Sequence, residues 1–101
     1  MNERKPSRVP VVPNEALVRG KVVSTKSRSD GGTDLDIVVD KAFDVAGYPN
    51  FARSYIGQTI RVSVQPGIRL QDNDSIEARV TYRGDERGGL FTVLQDHIRK
   101  L

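Results

Sequence analysis

A chain of 101 residues has room for one domain and too little for two ordinary ones, and its 37% of hydrophobic residues can fill one modest core. Sixteen basic residues against thirteen acidic ones leave a formal net charge of +3, so only local clustering of charge would create a useful field. The absence of cysteine excludes disulfides, thiolate catalysis and cysteine-based zinc sites and fits a cytoplasmic protein; no apolar run nears the ~20 residues of a membrane helix, and no apolar signal-peptide core is present near the N-terminus.

In chain order, residues 1–14 read as a basic, proline-rich arm. Arg4, Lys5 and Arg8 charge its first half, and Pro6, Pro10 and Pro13 each remove a backbone donor and favour extended geometry. Residues 15–101 are then the single folded domain. A first strand is expected at 16–27, rich in Val and Thr, with Gly20 set inside it as glycines that mark a bulge or sharp bend usually are. Asp30-Gly31-Gly32 is a hairpin turn. A second strand follows at 33–40, where Leu35, Ile37 and Val39 alternate with Asp34, Asp36 and Asp40. Residues 41–57 have no clean period and hold Phe43, Tyr48, Phe51 and Tyr55; a connection of this length is either functional or packed by its own side chains.

A third strand is expected at 58–65, with Ile60, Val62 and Val64 inward, and a fourth at 75–82, with Ile76, Ala78, Val80 and Tyr82 on one face. Residues 83–89, with Gly84, Gly88 and Gly89, read as a flexible hairpin loop before a fifth strand at 90–95. The spacing of Leu94, Ile98 and Leu101 favours one or two helical turns at the end of the chain. The expected core comprises Val18, Val22, Leu35, Ile37, Ile60, Val62, Val64, Ile76, Ala78, Val80 and Val93.

This order of elements, with Gly20 in a long first strand, the turn at Asp30-Gly31-Gly32 and the glycine-rich loop between the last two strands, resembles the OB-fold. The resemblance covers roughly residues 16–96 and implies an all-β, five-stranded antiparallel barrel. It departs from the usual pattern in one place: only residues 66–74 separate the third and fourth strands, too few for the helix commonly found there. An SH3-like barrel is the alternative.

No catalytic constellation is evident, and no cofactor is implied. His97 is the only histidine and has no oriented acid beside it. Asp34, Asp36 and Asp40 have the chemistry of a hard-cation site, but on the outer face of a strand they fit solvation or pairing to a basic neighbour better, with Arg61 the candidate if the two strands adjoin. Residues 72–77 begin like a calcium loop and then place Ile76 and Glu77 where a ligand and a glycine belong. The loop at 84–89 lacks the lysine and spacing of a phosphate loop.

Two functional readings follow. The OB resemblance implies single-stranded DNA or RNA held by the hairpin loops, for which Lys26, Arg28, Tyr82, Arg83 and Arg87 are the candidate contacts. Against it, the outward positions of the second and third strands carry three carboxylates and no aromatic, so a nucleic-acid site would rely on the loops, the aromatic connection and the arm. The second reading is a protein-protein interaction module or small subunit of a larger complex, docking through the arm or the aromatic connection. Neither reading involves a membrane.

Overall fold

Alternating valine and isoleucine positions become five strands in a computed structural model of the chain: β1 (Ala16–Ser27), β2 (Thr33–Asp44), β3 (Thr59–Val64), β4 (Ser75–Tyr82) and β5 (Leu90–Lys100). Residues 13–83 and 90–101 are described; the first twelve residues of the arm and the loop at 84–89, with Arg87, lie outside them. The strands close into a barrel in the order β1-β2-β3-β5-β4, compatible with an OB-like topology. Among the described residues no helix is long and apolar enough to cross a membrane.

The barrel is not purely antiparallel. β3 and β5 run parallel, pairing Arg61 with Leu90, Val62 with Phe91 and Ser63 with Thr92. The cause is the path of the chain after β3. Residues 65–74 carry it past the barrel end so that β4 lies against β1, from Ala16↔Val80 to Lys21↔Ser75. β5 then returns through the gap between β3 and β4, antiparallel to β4 and therefore parallel to β3.

Closure depends on β1 serving two neighbours. Its Ala16–Lys21 stretch pairs with β4 on one edge and with β2 on the other. At Gly20 the register with β2 shifts, so that Arg19 faces Lys41 and Gly20 faces Val39. Asp40 is thereby left over as a bulge, with the local bend and twist that a bulge brings. The approach is close: a Cβ on Gly20 would press into the Val38 carbonyl oxygen and come within 2.6 Å of Ile37 Cγ2. The same bulge explains why β2 runs to Asp44 and not to residue 40. It turns both Asp40 and Lys41 outward, which hides the period-two pattern that resumes at Ala42 and Phe43.

All eleven residues of the expected core are buried, joined by Ala16, Val39, Ala52 and Phe91. Asn14 is also buried. Its Oδ1 accepts from the Tyr82 amide at 2.7 Å and from Thr81 Oγ1, and its Nδ2 donates to the Tyr82 carbonyl, which fastens the chain entering β1 to the end of β4.

The expected helical turns at the C-terminus are absent, because β5 continues as strand to Lys100. Val93 pairs with Val80 but Ile98 pairs with Ala78, so β5 advances five residues while β4 advances two. That irregularity moves the inward positions from Phe91 and Val93 to Ile98, which breaks the period-two pattern and leaves the four-residue spacing of Leu94 and Ile98 as the visible one.

Gly20→Ala is expected to lower the unfolding free energy by about 1–3 kcal/mol, the usual cost of forcing atoms into a filled site. Urea unfolding reads this directly, and an unchanged midpoint would mean that β1 does not close on β2 as described.

Candidate functional site

Strand direction alternates, so the turn at 28–32 and the connection at 65–74 share one end of the barrel. The connection at 45–58, the end of β4 at Tyr82 and the start of β5 at Leu90 share the other. At this second end, Asn50 organises the connection as asparagine commonly does in turns. Its Oδ1 accepts from the amides of Ala52 and Arg53, both at 3.0 Å, and its Nδ2 donates to the Ala42 carbonyl and to Asp44 Oδ1. Arg53 also pairs with Asp44. Hydrogen bonds from Asn50 first, then Arg53, hold the Asp44 carboxyl below its ordinary value.

The result is a short 3₁₀ turn, Arg53–Tyr55, laid across the barrel mouth with Ala52 fully buried beneath it. Tyr55 meets the core residue Phe91 edge-on at 5.6 Å between ring centroids, Tyr82 lies 5.2 Å from Phe91, and Phe51 meets Tyr82 edge-on at 6.0 Å. An open groove of about 590 Å³ remains above this cluster, lined by Asn50, Phe51, Arg53, Ser54, Tyr55 and Tyr82. Tyr55 therefore packs onto the barrel, whereas Phe43 lies on the outer face of β2 and is 42% exposed.

The candidate contacts named from sequence do not converge. Tyr82 lines the groove and Arg83 is exposed immediately after it, with its amide bonded to the Leu90 carbonyl. Lys26 is exposed at the opposite end, facing Asp34 across the β1–β2 ladder. Arg28 is fully engaged. Its guanidinium donates to Asp34 at 2.9 Å, to Asp30 at 3.2 Å, to Ser63 Oγ and to the carbonyls of Thr33 and Val64, which clips the first hairpin onto β3. Arg87 lies outside the described residues. Sequence reading missed Asn50, whose one available signal is an asparagine directly after Pro49 in a segment without a period.

The β2–β3 face is electrically closed. Asp36 sits opposite Arg61 in register, as the pairing expectation required, and accepts from its Nε at 3.1 Å and from Ser24 Oγ at 2.9 Å. Asp34 is held by Arg28. The Arg61 bond, with that of Ser24 behind it, keeps the Asp36 carboxyl below its ordinary value; the Gly32 amide and then Arg28 do the same for Asp30.

A carboxylate whose folded pKa is depressed adds stability above its unfolded pKa and loses it as the pH falls through the folded value. Asp30, Asp36 and Asp44 all shift in that direction. The unfolding free energy is therefore expected to hold from neutral pH down to about 4, near the ordinary carboxylate range, and to fall below it. A urea series across that range checks this, and stability that rises on acidification would contradict the pairing scheme.

Comparison of the chain with protein-family models, with curated proteins and with solved structures returned no match.

Proposed function

We propose that this chain is a small OB-like binding module that holds single-stranded nucleic acid at the aromatic mouth of its barrel. The observation that carries the reading is the groove itself: Phe51, Tyr55 and Tyr82 around an open cleft, with Arg53 at its edge and Arg83 directly beside it. Aromatic faces accept any base by stacking, and arginines at the rim meet phosphates or stack in turn. The net charge of +3 suits a polyanion. Arg28 does not join this site, because its donors are spent on the hairpin. Lys26 stands apart from the mouth and contributes at most long-range attraction. Whether DNA or RNA is preferred turns on contacts to the sugar 2′-hydroxyl.

A protein-interaction role is the second reading, favoured by the exposure of Tyr48 and Ile56 on the same connection. Fluorescence anisotropy with a labelled single-stranded oligonucleotide separates the two. Under the nucleic-acid reading, Phe51→Ala weakens binding by about five- to 150-fold, since one stacked base contributes roughly 1–3 kcal/mol. Arg83→Gln lowers the slope of log affinity against log salt by about 0.7, the value of one phosphate contact on a single strand. No binding by the unaltered protein at low salt would remove this reading and leave the protein-interaction one.

A further inference from the structure

We infer that the backbone of a strand bound at the mouth continues over the outer face of β1, β2 and β4, on a track made by Phe43, Lys41, Arg19 and Lys21, and not over the β2–β3 face. The inference rests on the nucleic-acid reading and names the path on the protein.

The register places the track. Lys41, Arg19, Glu77 and Arg99 form one row across four strands, Lys41 facing Arg19, Arg19 facing Glu77, and Glu77 facing Arg99. The row nearer the mouth is Phe43, Leu17 and Arg79, and on the far side of the Asp40 bulge Lys21 lies between Val38 and Ser75. This wall therefore carries five cations, Arg19, Lys21, Lys41, Arg79 and Arg99.

Among the described residues three carboxylates oppose them, Glu77, Glu15 and Asp40. Glu77 is shared, accepting from Arg19 Nε at 2.8 Å and from Arg99 at 2.9–3.0 Å, and hydrogen bonds from Arg19 first, then Arg99, keep its carboxyl below the ordinary value. Glu15 pairs with Arg79 at 3.3 Å. One carboxylate between two guanidiniums leaves a positive surplus. Among the described residues neither Lys21 nor Lys41 has a carboxylate partner, and both are exposed. Asp40, bulged out beside Lys41, offsets part of that surplus.

Phe43 supplies an apolar surface on the same wall. The Arg19 guanidinium carbon lies 5.4 Å from the centre of its ring, which fixes the ring while leaving 42% of the residue exposed to a base. The wall is continuous with the mouth, because the next residue, Asp44, is bound by Asn50 and Arg53 of the groove. The β2–β3 face differs in both respects: Asp34 is held by Arg28 and Asp36 by Arg61, and its outward residues Asp34, Asp36, Val38, Arg61 and Ser63 include no aromatic.

Lys21→Gln with Lys41→Gln tests the track without disturbing an ion pair. Salt titrations are run with two oligothymidylates, roughly four and roughly sixteen nucleotides long, the range of site sizes of a single OB-fold. On the longer one the double variant is expected to lose about 1.4 from the slope of log affinity against log salt, about 0.7 for each phosphate contact. On the shorter one, which fills only the mouth, its slope matches that of the unaltered protein. Arg69→Gln, in the connection at the other end of the barrel, is expected to leave both slopes unchanged. An unaltered slope for the double variant on the longer oligonucleotide overturns the track while the parent reading stands, as does a loss of about 0.7 from Arg69→Gln, the same loss per charge removed, which would mark a mere net-charge effect. Unaltered protein that binds neither oligonucleotide ends the parent reading and the track with it.

Discussion

A strand that pairs along both edges while curving round a barrel must bend sharply, and here the bend is made possible by the missing side chain of Gly20. β1 lies between β2 and β4 over the same few residues, and the backbone of β2 passes too close at Val38 for any Cβ at that point. A bulge at Asp40 takes up the mismatch on the β2 side. Without that junction β4 has no edge to pair with. β5, which reaches β3 only by lying against β4, could not then close the wall.

Closure also decides which surfaces remain for binding. The wall of β2 and β3 is crossed by matched charge pairs, Arg28 with Asp34 and Arg61 with Asp36, that tie neighbouring strands together and leave little net field. Exposed pairs of this kind contribute modestly to stability, and their larger consequence here is electrostatic silence on the face that an OB-like barrel would be expected to use. The mouth is different. Phe91 closes the core, Tyr55 and Tyr82 pack against it, and Phe51 leans on Tyr82, so the aromatic cluster is half core and half surface. Such a cluster is rigid where it touches the barrel and open where it meets solvent, the arrangement a stacking platform requires.

Much of the fold was legible in the residues because inward and outward positions alternate without interruption in β1 up to Val22, in β3 and in β4; the limits of β1 and β4 coincide with those read from the sequence. The register of Asp36 with Arg61 was legible in the same way. What was hidden lies at irregularities. The Asp40 bulge shifted the pattern and concealed the last four residues of β2, and with them the outward placement of Phe43 and Lys41. The uneven advance of β5 against β4 disguised strand as helix. The parallel junction of β3 with β5 has no local signature, since it follows from where β4 docks. At the site, Tyr82 stood out as an aromatic beside a charged loop, whereas the engagement of Arg28 depends on Ser63 and Val64, 35 and 36 residues away.

The path proposed for a bound single strand runs over the barrel mouth and along the β1–β4 wall. Amide chemical shifts of the isotope-labelled protein, followed during titration with an oligothymidylate, test it residue by residue. Perturbations are expected to concentrate at Arg19, Lys21, Lys41, Phe43, Phe51, Tyr55 and Arg83, with Asp34, Asp36, Arg61 and Ser63 little changed. Shifts confined to the second group, or none at saturating oligonucleotide, would contradict it.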